Sequence, residues 1–405
     1  MTADASTASE IRLRVFGRTD VGQIREHNED NFLIADLTRK SRSLMEADRD
    51  QVVGPRGTVL GVCDGMGGAA AGEVASQLAV DIIYEKLVQG QPTDHNELAR
   101  GLVRAVEEAG ARIFNEARAD RTRRGMGTTA TIAALVDARL FIAQVGDSRA
   151  YVLRNGRLVQ VSRDQSLVNQ LIEAGQLTEE EAETFEHNNI ILQALGTAET
   201  VQVDLTFVDI RRGDVLLLCS DGLSGMIRSE EIREVLTTVS EPLEACRELT
   251  ERANRAGGHD NITVIVARFD GPGLVDPGAE DPPLTYQKYA LPEAPSEQEI
   301  AVRTLSTLPG EAATLPPSDE ARDPRRLRVG HTMVGLASAV TPEMLAAATE
   351  APAAIRSSSP APLASYGPTD EPVELPTTGF PPSLVGFMVL GAMVLAAVAG
   401  FLLLR

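Results

Sequence analysis

Asp64 closes the apolar run Val59–Cys63 and is followed at once by Gly65, Met66, Gly67 and Gly68. A carboxylate at a strand end, beside backbone carbonyls that glycines leave accessible, offers the oxygen ligands a hard divalent cation takes. By itself an Asp-Gly pair reads equally well as a turn. The pattern recurs. Val215–Cys219 leads through Ser220 to Asp221-Gly222, and Gly258-His259-Asp260-Asn261 sets a carboxylate before the strand-like run Ile262–Val266. Near the start, Arg25 stands four and five residues ahead of the pair Glu29-Asp30. Four acidic sites at strand ends and one arginine can assemble two cations and a phosphate clamp.

The elements that must position these groups read as an α+β chain. Leu13–Phe16 and Asn31–Ala35 are predicted strands with Arg25 and the acidic pair between them, and Thr38–Gly57 is predicted to be a loop. After the strand into Asp64, residues 69–88 and 97–118 carry apolar residues at helical spacing, as an antiparallel pair packed on a sheet. Strands follow at Thr128–Val136 and Leu140–Val145, then a hairpin around Asn155-Gly156, a type I′ signal. Ser166–His187 is polar and helix-prone with a break at Gly175. Val201–Ile210 alternates as a strand, Glu230–Val235 and Leu243–Ala256 read as helices, and Ile262–Phe269 closes the domain. Antiparallel strand runs interrupted by helix pairs fit a layered sandwich better than a doubly wound parallel sheet.

Composition narrows the function. The net charge of −20 argues against nucleic-acid binding, which calls for a basic face. No tryptophan and few aromatics exclude base stacking as a theme. Cys63, Cys219 and Cys246 sit in apolar runs or on a helical face and read as reduced core residues of a cytosolic protein.

The ordered motifs Arg25…Asn28-Glu29-Asp30, Asp64-Gly65-Met66-Gly67-Gly68, Gly125-Met126-Gly127-Thr128-Thr129, Gly146-Asp147-Ser148-Arg149, Asp221-Gly222 and Asp260-Asn261-Ile262-Thr263 resemble the bacterial form of the metal-dependent Ser/Thr protein phosphatases of type 2C. The resemblance covers roughly residues 10–270. It implies a central antiparallel β-sandwich flanked by helix pairs in α-β-β-α layers, and hydrolysis of phosphoserine and phosphothreonine in proteins by water. It assigns two Mg²⁺ or Mn²⁺ ions to Asp64, the Gly65 carbonyl, Asp221 and Asp260, with Glu29 and Asp30 on the second ion directly or through water. Arg25 would clamp the phosphate through paired donors and touch no cation, and Asn261 would support the ligands. The implied partners are phosphorylated proteins, Ser/Thr kinases among them. A catalytically idle phosphoprotein-binding scaffold is the alternative, favoured by loss of a metal carboxylate; none is lost here.

Three departures from the family pattern stand out. Met66 replaces the histidine of eukaryotic members, which leaves water at the metals as proton donor. Asp164-Gln165-Ser166 stands where Asp-His-Ser is common, so His187, read as structural, is the only histidine near the flap. Thr122-Arg123-Arg124 precedes the Gly-Met-Gly-Thr-Thr motif with Asp120 as the nearest acid, which speaks against a third ion. Asp147 and Arg149 read as a structural turn.

The two ends differ from the middle. Residues 1–9 are polar and small, expected to be disordered and unlike a signal peptide. Beyond Gly271 the chain turns rich in Pro, Ala, Ser, Thr and Glu, so 271–382 is expected to be a disordered linker. Leu384–Leu404 is uninterrupted apolar or Gly/Ala sequence; at ~1.5 Å per residue it reaches about 30 Å, one hydrocarbon core. Residues 383–405 are therefore expected to be a single-pass anchor in the inner-membrane bilayer, with the catalytic domain cytoplasmic. The stretch Leu375-Pro376-Thr377-Thr378-Gly379 also resembles a sortase sorting signal, a competing account of the tail.

Overall fold

The computed structural model describes residues 10–42, 50–67, 71–90, 92, 94–182, 185, 189–278 and 281–291. The chain divides into two compact units, Met1–Val329 and Gly330–Arg405, and all described residues belong to the first. The apolar segment 384–404, the sorting-like stretch, Gly68, His187 and residues 1–9 lie outside the described residues. No helix among the described residues is long and apolar enough to cross a membrane.

Strands β1 (Arg12–Asp20), β2 (Asn31–Asp36), β3 (Ser41–Arg42), β4 (Asp50–Val52) and β5 (Thr58–Cys63) come first. The short β6 (Gly65–Met66) and helices α1 (Ala71–Gln89) and α2 (His95–Ala119) follow. Next are β7 (Gly127–Thr128), β8 (Ala130–Val136), β9 (Arg139–Val145), β10 (Arg149–Arg154) and β11 (Arg157–Gln160). Helices α3 (Leu167–Glu173) and α4 (Glu179–Ala182) precede β12 (Asp204–Asp209) and β13 (Val215–Cys219). The unit continues through α5 (Asp221–Ser224), α6 (Ser229–Thr238) and α7 (Pro242–Arg255) to β14 (Ile262–Asp270).

Two six-stranded sheets form, in the orders β11-β10-β13-β14-β1-β4 and β12-β9-β8-β5-β2-β3, with every strand pairing antiparallel. Three apolar clusters set the layers. One buries Leu98, Leu102 and Ile113 of α2 and Ile83 of α1 against β8 and β9. A second fills the space between the sheets with Val15, Val62, Ile142, Leu216 and Phe269. The third packs α6 and α7 through Val235, Cys246 and Leu249 onto Leu217 and Val264. The order is helix, sheet, sheet, helix, as the family resemblance implies.

Local chemistry fixes the elements. Asp94 caps α2 by accepting from the Glu97 amide, and Pro242 opens α7 at a position where a missing N–H costs nothing. Asn155 and Gly156 both take positive φ, 51° and 74°, as a type I′ hairpin turn requires. Two expectations need correcting. The stretch Thr38–Gly57 contains β3 and β4, and β4 pairs with β1 at Gln51↔Leu13, an edge strand too short for periodicity to show. The segment expected to leave the domain at Gly271 stays on it through Leu291 where described, with Leu274 buried and Arg212 donating to the Leu274 carbonyl at 2.8 Å.

Candidate active site

The site lies at one end of the sandwich, where strand ends of the two sheets come together. Asp64 follows β5 and Asp30 precedes β2 in one sheet; Asp221 follows β13 and Asp260 precedes β14 in the other. Asp147 sits in the crossing from β9 to β10, which belong to different sheets.

Asp64 is held by its backbone. Its N–H donates to Thr129 Oγ1 at 2.9 Å, and its carbonyl accepts from Thr129 N and from Thr128 Oγ1, each at 2.8 Å. Thr129 Oγ1 is in turn 2.7 Å from Ser148 Oγ. The Gly-Met-Gly-Thr-Thr and Gly-Asp-Ser-Arg motifs are thus the frame of the Asp64 turn. Gly65 pairs with Thr128 across β6 and β7, and no larger residue fits there. A Cβ would lie 2.3 Å from the Gly72 carbonyl oxygen and 2.4 Å from that of Glu29.

Glu29 and Asp30 are tied to the opposite sheet by Asn261 and its neighbours. The Glu29 amide donates to Asn261 Oδ1 at 2.7 Å, while Asn261 Nδ2 donates to the carbonyls of Val21 and His27. One side chain therefore splints the whole Arg25 loop. The Glu29 carboxylate lies against Gly72 in the first turn of α1, where a Cβ would come within 2.8 Å of it. Asp30 is buried; its Oδ2 accepts from Ser220 Oγ at 2.8 Å and Thr263 Oγ1 at 2.7 Å, and its Oδ1 has no partner.

The carboxylates crowd one another. Burial, with the charges of Asp221 and Asp260 added, pushes Asp30 up to about 7 against the hydrogen bonds of Thr263 and Ser220. Asp64 is pushed well above the usual range by burial and then by Asp30, Asp221, Asp147 and Asp260. Asp221 is raised by burial and Asp260, and held back by a hydrogen bond with the Asp64 carboxyl and by Arg149 and Arg25. The Oδ1 atoms of Asp30, Asp147 and Asp221 are buried without a hydrogen-bond partner. Unpaired carboxylate oxygens in a buried acid cluster cost several kcal/mol unless a cation or proton compensates, roughly by the general penalty for buried charge. This donor set fits hard divalent cations. Among the described residues no three His, Cys, Asp or Glu side chains form a ready ligand group.

Asp30, Asp64, Asp221 and Asp260 lie close enough to act on one another, the Glu29 carboxylate lies against Gly72, and Arg25 takes a partner the sequence does not suggest. Arg25 Nη2 donates to Asp260 Oδ2 at 2.7 Å, so it rests on a candidate ligand instead of standing clear of the acids. Sequence reasoning missed Asp147. Read as a turn, it proves buried, raised to about 7 by burial and by Asp221 and Asp164, and part of the charge felt by Asp64. The signal was present, since Gly146-Asp147 ends an apolar strand in the same way as the other acids. Arg149 behind it is pinned by Asp164, whose Oδ2 accepts from Nε at 2.7 Å, and by Tyr151. Gln165 accepts the Gly146 amide at 2.9 Å and so steadies the same turn.

Comparison with known proteins agrees with this geometry. Residues 40–255 match the family described as Protein phosphatase 2C. The serine/threonine phosphatase stp of Listeria monocytogenes is 36% identical over 254 residues, 62% of this chain and 94% of its own. The crystal structure of the Mycobacterium tuberculosis serine/threonine phosphatase PstP/Ppp covers 64% of this chain and 99% of its own, at 35% identity and a TM-score of 0.55. The catalytic domain of PstP in complex with 2 manganese ions is similar over the same 64%, and 99% of its own length, at 36% identity and a TM-score of 0.54. The crowded carboxylates, the framed Asp64 turn and the matched span identify the chain as a member of the protein phosphatase 2C family, metal-dependent Ser/Thr protein phosphatases.

Proposed function

We propose that this chain hydrolyses phosphoserine and phosphothreonine in proteins at a binuclear Mg²⁺ or Mn²⁺ centre. The observation that carries the reading is the convergence of Asp30, Asp64, Asp221 and Asp260 from two sheets, with unpaired buried oxygens and Arg25 at the rim. Asp64 would serve both ions with the Gly65 carbonyl as a further ligand, Asp221 and Asp260 would hold one ion, and Glu29 and Asp30 the other, directly or through water. Bound ions supply charge neutralisation and lower the pKa of water toward neutrality. The chain's own residues do the positioning. Thr128 and Thr129 fix the Asp64 turn, Asn261 splints the Arg25 loop, and Ser220 and Thr263 orient Asp30. Arg25, half-exposed, is placed to exchange Asp260 for a phosphoryl group, which its fork of donors fits. The nucleophilic side chains described in the acid cluster are engaged or buried: Ser220 and Thr263 donate to Asp30, and Cys63 and Cys219 are fully buried, with the Cys219 thiol pushed up to about 12 by burial. Direct attack by water, without a phosphoenzyme, follows.

Domain limits and cell location belong to the same proposal. We read 10–270 as the catalytic core, the chain after Leu291 as linker, and 383–405 as a bilayer anchor with the catalytic domain on the cytoplasmic side. The apolar run at 384–404 supports this. Kinases of the Ser/Thr type and their substrates are the proposed partners.

The deciding experiment measures phosphate release from a phosphothreonine peptide with and without Mn²⁺. Release only with the metal is expected, and metal-independent or absent release from folded protein rejects the reading. Recovery of the full chain with membranes, and of a chain ending near Pro382 in the soluble fraction, is expected for the anchor. Digestion by protease added outside spheroplasts would revive the sorting-signal account.

A further inference from the structure

Helix α1 buries Ala75, Ala79, Val80 and Ile83 on its inner face, yet one residue of that face is polar. Ser76 is fully buried, and no other buried residue of α1 carries a hydrogen-bonding side chain. A serine inside a helix ordinarily turns its hydroxyl to a carbonyl of the preceding turn. Here that acceptor, the Glu73 carbonyl, lies 3.1 Å away, while the Glu29 carbonyl lies 2.6 Å away. The hydroxyl proton therefore goes chiefly to the loop before β2. Ser76 Oγ also accepts from Asn31 Nδ2 at 2.9 Å. One hydroxyl thus holds both chain neighbours of Asp30, Glu29 by its carbonyl and Asn31 by its side chain.

The first turn of the same helix closes on the same loop. A Cβ on Gly72 would come within 2.8 Å of the Glu29 carboxylate and of the Gly65 carbonyl carbon. Gly65, Gly72 and Glu29 are therefore packed together with no room for a side chain between them, and Ser76, one turn further along α1, supplies the hydrogen bond that locks the contact. The acids of the other sheet are held by other means. Asp260 is bonded to Arg25 and to the Asn261 amide, and Asp221 opens α5 directly after Ser220. Asp64, between the two groups, is fixed by Thr128 and Thr129.

We propose that Ser76 is a positioning residue for Glu29, and through Glu29 for the one ion assigned to Glu29 and Asp30. That ion rests on the phosphatase reading; the hold of Ser76 on the loop does not. Without the hydroxyl, the Glu29 carbonyl and the Asn31 side-chain amide lose a buried partner, and the loop shifts to replace it. The Glu29 carboxylate then leaves its place against Gly72. Groups behind metal ligands commonly set about 10–100-fold in metal affinity. Asp221 and Asp260, assigned to the other ion, hang from the other sheet, so the loss falls on one ion and spares its neighbour.

The test compares the full chain with its Ser76→Ala variant by two measurements. Calorimetric titration of the metal-free proteins with Mn²⁺ should show one of two sites weakened about tenfold or more and the other changed by less than about twofold. Amide exchange without metal should quicken at Glu29 and Asp30, whose N–H groups are held by Asn261 and Asn28. It should stay unchanged at Thr263, whose N–H is held by Ser220. Equal weakening of both sites, the sign of general loosening, would overturn the proposal, as would wild-type binding at both. Should Ser76→Ala fail to fold, Ser76→Cys keeps the volume with a much weaker donor and is read by the same two measurements. Unchanged exchange at Glu29 and Asp30 in that variant rejects the proposal. If the wild-type chain takes up fewer than two Mn²⁺ ions, the binuclear reading fails and amide exchange alone decides the role of Ser76: quickening at Glu29 and Asp30 upholds it, and wild-type rates overturn it.

Discussion

Arg25 and Asp260 form an ion pair across the site, Nη2 to Oδ2 at 2.7 Å, joining the loop before β2 to the turn before β14. The arginine proposed to bind phosphate is thus parked on a carboxylate proposed as a cation ligand. Both side chains are well exposed, so the pair is worth only about 0–1 kcal/mol after screening. Arg25→Ala should therefore leave Mn²⁺ affinity unchanged or tighten it by no more than about fivefold, while phosphopeptide turnover falls. Calorimetric Mn²⁺ titration beside steady-state kinetics checks this. A collapse of metal binding would show that Arg25 supports the ligands.

Asp64→Asn should lower turnover by about 10³-fold or more at saturating Mn²⁺, the scale of electrostatic groups at such centres. The fold should survive, because Thr128 and Thr129 hold residue 64 by its backbone. Removing one of several mutually repelling carboxyls should leave the melting temperature in EDTA equal to or above that of the wild type. Near-normal turnover would remove Asp64 from the proposed metal centre.

Gly65→Ala should unfold or distort the site, since the new Cβ meets two carbonyl oxygens at 2.3 and 2.4 Å that belong to fixed backbone. A loss of about 1–3 kcal/mol is expected for such overpacking, read by urea melts, together with weakened Mn²⁺ binding. A fully stable, fully active variant would mean that the β6 turn gives way easily.

Stability without metal should fall as pH rises. Asp30 and Asp147 titrate at about 7 in the folded chain, above the ordinary 3.8 of an aspartate. Between about pH 4 and about pH 7 the folded state holds protons the unfolded state has released, so the unfolded state gains with each step upward. Thermal melts in EDTA should shift down across that window. Saturating Mn²⁺ should flatten or reverse the trend, as a ligand that binds only the folded state does. A melting temperature in EDTA that rises through the window would contradict the crowding of these acids.

Much of this is legible in the sequence. The long elements show their periods in the sequence, as in α2, where Leu98, Leu102, Val106 and Ile113 line one buried stripe. The acids were legible because each ends or begins an apolar run, and a strand end is a fixed point in space. What escaped depends on side-chain company. Asp147 has the same sequence context as Asp64, but only the proximity of Asp221 separates a crowded carboxylate from a turn residue. The Arg25–Asp260 pair spans residues too far apart for any local pattern. The segment 281–291, paired with β12 at Gln287–Tyr289, escaped for the opposite reason. Its two tyrosines are too sparse to signal a strand, and it is recognisable only by the β12 edge and the Phe141–Phe207 socket that receive it.

The division of the acids between the sheets has a mechanical side. Asp30 and Asp64 ride on one leaf of the sandwich, Asp221 and Asp260 on the other, and Asp147 on the crossing between them. Like charges placed this way act as a wedge at one end of the fold, and the inter-sheet cluster around Val62, Leu216 and Phe269 is the hinge that resists it. A cation held as proposed would act as a rivet through both leaves. Amide exchange at the ends of β5 and β13 should then slow together on Mn²⁺ addition, while the far ends of the same strands stay as they were.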